Sequence, residues 1–135
     1  MTNAIQHINP GGMLQSPAFS QVIVTEGSGK TIYIGGQNAV NAKGETVGKG
    51  DIKTQTEQVM KNILTALAAA DVTLDQVVKL TICLVQGNDP AEAFAAAQPF
   101  MSKAAAPPVI TVILVAALGH PDHLLEIDAI AFAAG

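Results

Sequence analysis

The chain has 135 residues, eleven acidic against seven basic side chains and a formal net charge of −4, and every basic residue is Lys. Without Arg it lacks the bidentate donor that phosphate- and guanine-reading proteins favour, and its charge repels a polyanion, so no nucleic-acid partner is expected. Its single Cys excludes an internal disulfide and a thiolate zinc cluster, and with no signal-like start at Met1–His7 and no apolar run long enough for a membrane, a cytoplasmic protein is expected.

The length suits one domain over 1–135. Apolar residues make up 49% and charged residues 13%, so some apolar surface is expected to be buried between subunits. In chain order, Ser20 to Thr25 and Thr31 to Gly35 read as two strands of a hairpin around Glu26–Lys30. After a loop rich in Gly and Asn, Asp51 reads as an N-cap. Ile52, Val59, Met60, Ile63, Leu64 and Leu67 then form one apolar stripe, which predicts a helix over 52–70. Gln76 to Val85 reads as a strand. Asp89-Pro90-Ala91-Glu92 combines a capping Asp, Pro at the first helical position and Glu three residues after the cap, and predicts a helix to about Lys103 before Pro107-Pro108. Val109 to Ala117 is apolar on both faces apart from Thr111, so it needs cover on both sides. Two helices are expected to cover one face of the sheet, and a second copy of the chain is the simplest cover for the other. The last strand, Leu124 to Phe132, alternates, with Leu125, Ile127, Ala129 and Ala131 opposite Leu124, Glu126, Asp128, Ile130 and Phe132.

Glu126 and Asp128 share a strand face with Cβ atoms roughly 7 Å apart. Two carboxylates on a largely apolar face need solvent or donors, so they are candidates for general acid/base work or for accepting hydrogen bonds at a subunit interface. His120 and His123 have a spacing that can place two ligands on a metal, but in a turn and without a third ligand, so no metal is expected. Gly27-Ser28-Gly29-Lys30-Thr31 imitates the end of a phosphate-binding loop. Val24 stands where its first Gly belongs, and a strand follows where a helix is required, so it reads as a turn. Cys83 sits mid-strand with no His near it in sequence and reads as a buried thiol. Gly35-Gly36-Gln37-Asn38 suits either close approach of a ligand to backbone N–H groups or a sharp turn.

Several segments together resemble one family. Ser16-Pro17 with Phe19-Ser20-Gln21 is similar to its Gly-Pro-Tyr-x-Gln start, and Ile34-Gly35-Gly36-Gln37 to its Ser-Gly-Gln strand end. Gly50-Asp51-Ile52 with Gln55-Thr56, Val59 and Asn62 resembles its first helix, and Val77 to Ile82 its middle strand. Pro108 to Leu118 resembles its penultimate strand, and Leu125-Glu126-Ile127-Asp128-Ala129-Ile130-Ala131 its Ile-Glu-Ile-Glu-Ala-Ile-Ala ending. The chain is identified as a member of the Rid family (RidA/YjgF, reactive intermediate deaminases). The resemblance implies a chorismate-mutase-like α+β fold, a mostly antiparallel sheet with two helices on one face, and a homotrimer with small-molecule clefts between subunits. It also implies hydrolysis of enamines and imines such as 2-aminoacrylate without a cofactor, with an Arg on the substrate carboxylate and a glutamate holding water.

Carried over residue by residue, the family's Pro-Ala-Arg-Ser-Cys run falls on Pro108-Val109-Ile110-Thr111-Val112. The Arg position is Ile110, or Val109 after a slip of one, and the Cys position is Val112. Phe19 replaces the Tyr, Gly35 replaces the Ser before Gly36-Gln37, and only the glutamate persists, at Glu126, with Asp128 at the second acid. A replacement cation is expected only from Lys30, Lys43, Lys49 or Lys53 on a neighbour's loops. Loss of an Arg–carboxylate contact costs on the order of 2–5 kcal/mol. The expected cleft is apolar, floored by Phe19, Ile110 and Val112 with Glu126 as its main polar group, and backbone N–H groups near Gly36 and Thr111 stabilise developing charge. The expected activity is hydrolysis of a C=N or acyl bond in a substrate without the usual carboxylate, not efficient 2-aminoacrylate deamination. The alternative is a non-catalytic small-molecule-binding trimer.

Overall fold

The computed structural model describes residues 4–102, 104 and 106–135. Strands β1 (Ile5–Ile8) and β2 (Val22–Thr25) form a small antiparallel sheet. The main sheet contains β3 (Gly29–Gln37), β4 (Val77–Val85), β5 (Val109–Val115) and β6 (Leu125–Ala134) in the order β3-β6-β4-β5. Only β4 and β5 run parallel, and helix α2 (Pro90–Met101) supplies their crossover. Helix α1 (Ile52–Ala69) packs on β3 and β6 and against α2, so both helices lie on one face. The expected α+β fold, mostly antiparallel, is the observed one.

The predicted hairpin of β2 with β3 is not formed. β2 turns back onto β1, which sequence reading missed, while β3 pairs with β6. Pairing with β6 sets Ile32 and Ile34 opposite Ala131 and Ala129 beneath α1, and that burial outweighs the nearer partner. The segment expected as a hairpin turn is a short bend at Gly27-Ser28, and Gly29 and Lys30 already belong to β3. Lys30 Nζ there donates to the carbonyl of Ala70 at 3.0 Å, closing the C-terminal end of α1.

Asp51 caps α1, its carboxylate accepting from the backbone N–H groups of Lys53 and Thr54 and from Thr54 Oγ1. These bonds hold its carboxyl below the usual range. The stripe Val59, Met60, Ile63 and Leu67 is buried against Leu80, Leu84, Leu125, Ile127 and Ala129. Each such side chain contributes about 1.5–3 kcal/mol. Asp89 caps α2 through Ala91 N–H at 2.9 Å, with Pro90 in the first turn. The helix ends at Met101, and the end predicted at Lys103 lies outside the described residues.

Candidate functional site

Register decides which side chains share the face away from the helices. Glu126 of β6 stands opposite Cys83 of β4, and Cys83 stands opposite Ile113 of β5. One step along, Asp128 stands opposite Thr81 and Thr81 opposite Thr111; the next row carries Tyr33, Ile130, Lys79 and Val109. The structure therefore brings Glu126 and Asp128 onto one face, as expected, and sets Thr111 there beside them.

It does not bring Ile110 and Val112 there. They pair with Leu80 and Ile82, whose side chains point toward the helices, and they line a cavity beneath α2. Alternate residues of a strand point to opposite faces, so the positions β5 offers beside Glu126 are Val109, Thr111 and Ile113. Of the two expected replacements for the family's Arg, the slipped one, Val109, is on the Glu126 face. Phe19 lies in the segment that meets the start of β5, where Ser20 N–H donates to the Pro108 carbonyl and Ser20 Oγ to that of Pro107.

Gly36 explains how Glu126 is accommodated. Between Ile34 and Gln37 the register of β3 against β6 shifts, leaving Gly35 and Gly36 in the irregularity. A Cβ built on Gly36 would stand 2.6 Å from both Cδ and Oε2 of Glu126, so the bare backbone lets the carboxylate fill that space. Gln37 Nε2 donates to the Gly35 carbonyl and Asn38 Nδ2 to that of Leu125, fixing the strand end beside it. The paired glycines thus lie in a register irregularity of β3, and the close approach at Gly36 is that of the Glu126 side chain rather than of a ligand.

Lys79 went unread in the sequence, and Cys83, read there as a buried thiol, is only partly buried on this face. Lys79 Nζ donates to Thr111 Oγ1 at 3.2 Å, so the face has a cation from its own chain. The expectation that a cation would come only from loop lysines overlooked it, although the alternation of β4 sets Lys79, Thr81 and Cys83 on one side. Of those lysines, Lys30 lies in β3 and is bonded to the Ala70 carbonyl at the end of α1, and Lys49 lies 3.7 Å from Asp122. Cys83 faces the glutamate from β4, whereas the family's Cys maps to β5. Burial, then Glu126 and Asp128, push its thiol up, which keeps it protonated and a poor nucleophile.

The turn before Glu126 is held from beneath. Gln55, fully buried on α1, donates to the carbonyls of Gly48 and Asp122 and accepts from Leu124 N–H. His120 and His123 stack with centroids 4.8 Å apart, and His120 Nδ1 accepts from Asp122 N–H. Burial and His120 push His123 below the ordinary imidazole value, against the smaller opposing pull of Asp122 and Glu126. Among the described residues, no three His, Cys, Asp or Glu come together as metal ligands.

The sequence profile of the family described as Endoribonuclease L-PSP matches residues 13–133. The chain belongs to this family, the Rid family. It is 35% identical over 105 residues to a RutC family protein of Pyrococcus horikoshii, covering 78% of this chain and 81% of that one. Over 115 residues it is 31% identical to the protein DfrA of Myxococcus xanthus, 84% and 83% covered. Its fold superposes on YyfB of Yersinia pestis, a Rid-family protein of unknown function, with TM-score 0.86, 38% identity and coverage of 97% and 100%. Among the described residues, no helix of this Rid chain is long and apolar enough to cross a membrane.

Proposed function

We propose that this Rid protein hydrolyses a C=N or acyl bond, with Glu126 as the residue that holds and deprotonates the attacking water. The observation that carries the reading is the carboxylate of Glu126 seated against Gly36 on the sheet's open face, opposite a thiol kept neutral. In the proposed step, the water oxygen forms a bond to the substrate carbon while its proton passes to Glu126. With an imine, the C=N π pair takes that proton from Glu126 to give an amino alcohol. Glu126 then relays the new hydroxyl's proton to the same nitrogen as C=O forms and the remaining C–N bond breaks. With an acyl substrate, the C=O π pair moves onto oxygen and returns as Glu126 protonates the leaving nitrogen or oxygen, whose bond to carbon breaks. Backbone N–H groups near Gly36 and Thr111 would oppose charge developing on the substrate.

The substrate class follows from the donors. Lys79 offers a single ammonium already bonded to Thr111, without the two-pronged fork of a guanidinium. A neutral C=N or acyl substrate therefore fits this face better than 2-aminoacrylate, which needs a firm carboxylate anchor. The family description names an endoribonuclease. A net charge of −4, no Arg, and two carboxylates on the open face argue against an RNA substrate here.

We further propose association as a homotrimer through this face, which would cover Tyr33, 77% exposed, and Ile113, 43% exposed, and close a cleft over Glu126. Solution mass tests it: about 41 kDa is expected from a 13.8 kDa chain. The catalytic reading is tested by assaying neutral and anionic imines, amides and hydrazides with wild type and Glu126→Gln. Turnover of a neutral substrate that Glu126→Gln loses by at least about a hundredfold is expected. Saturable binding without turnover would instead make the chain a non-catalytic binder.

A further inference from the structure

The sheet's other face carries a second space. A cavity of about 440 Å³ lies between α2 and the sheet, on the side of Leu125 and Ile127, opposite Glu126. α2 turns the stripe Ala93, Phe94, Ala97 and Met101 toward it, yet none of the helix's described residues is buried. Ala93 and Ala97, whose side chains end at Cβ, line the cavity from α2, and Ile110 and Val112 line it from β5. Val112 is 56% exposed although it lies under a helix, and Leu114 on the same side is 54% exposed. Val112 and Leu114 point away from the Glu126 face, opposite to Thr111 and Ile113.

We infer that this cavity is a binding site for an uncharged, mainly apolar small molecule, separate from the Glu126 face. Its size falls within the range of small-molecule sites and admits about fifteen non-hydrogen atoms at the volume share of a water molecule. The lining fixes the charge. Among the described residues, no charged side chain lines the cavity; its polar side chains are Thr56, Gln98 and Ser102. The Thr56 hydroxyl donates to the Ile52 carbonyl at 2.7 Å and the Ser102 hydroxyl to that of Pro99 at 3.5 Å, which leaves the Gln98 amide on α2 to meet a hydroxyl or carbonyl of the ligand. A charged group would be partly desolvated there with no counter-ion among the described residues.

The test is titration calorimetry of the full chain with decan-1-ol, decanoate and decylammonium. One saturable decan-1-ol site per chain is expected, at least tenfold tighter than either charged homologue. Ala97→Phe fills the space and should weaken it at least tenfold; Val112→Asn, at an exposed position, should weaken it severalfold even if Ala97→Phe does not fold. Glu126→Gln should leave it within twofold. Absence of saturable decan-1-ol binding, equal binding of a charged homologue, or indifference of a folded Ala97→Phe or Val112→Asn overturns the proposal. So does a change of solution mass in Val112→Asn with no decan-1-ol binding, which would make a second copy the occupant. Turnover without decan-1-ol binding sinks this site alone, and decan-1-ol binding without turnover sinks the hydrolytic reading alone.

Discussion

Gly36 and Glu126 occupy each other's space: a Cβ on Gly36 would lie 2.6 Å from Oε2 of the glutamate. Because the group in the way is the end of a flexible side chain, Gly36→Ala should displace the carboxylate rather than break the sheet. Turnover should fall at least about tenfold with a small change in melting temperature, the expected result when a reacting group is misplaced by about an ångström. Gly29→Ala is the contrast. Its Cβ would press on the Ala133 carbonyl and stand 2.7 Å from Phe132 Cζ, and backbone does not yield. It should cost about 1–3 kcal/mol in denaturant unfolding, away from the site.

Cys83 should report on Glu126. The carboxylate raises the thiol, so Glu126→Gln should lower it, and the fraction of thiolate at a given pH should rise. The rate of alkylation by iodoacetamide against pH measures this. The profile should move to lower pH in the variant, and an unmoved profile would contradict the cross-strand pairing.

Lys79→Met should separate anionic from neutral substrates. Loss of the ammonium beside Thr111 should raise KM for an anionic imine severalfold while leaving a neutral imine within about twofold. Equal effects on both would remove Lys79 from the site.

Stability should depend on His123. Its pKa is lowered in the folded chain from 6.5, so near that pH the unfolded chain binds more protons. Stability from this group is present above pH 6.5 and is lost as pH falls through and below it. His123→Leu should flatten the pH dependence of the urea midpoint between about pH 7 and pH 5.

Gln55→Leu removes three bonds, two of which, to the Asp122 carbonyl and from Leu124 N–H, hold the turn ahead of β6. Leaving the partners unpaired should cost about 2–4 kcal/mol. If the residual fold stays intact, kcat should fall more than stability requires, because the entry of Glu126 shifts with the turn.

Alternation in β6 and the caps at Asp51 and Asp89 are local, and the sequence by itself determined α1, α2, β4, β6 and the glutamate with its missing Arg. A residue count along a motif determines no face, however. Whether Val109 or Ile110 joins Glu126 depends on the register of β5 on β4, and a slip of one residue turns every side chain over. Tertiary structure therefore decided that Ile110 and Val112 belong beneath α2, that Lys79 and Cys83 belong beside Glu126, and that β2 pairs with β1. It also decided that Ala93 and Ala97 of α2 line a cavity over the sheet. Each of these outcomes turns on which distant strand or helix comes to lie opposite, and burial between distant segments sets that, not the order of residues along either one.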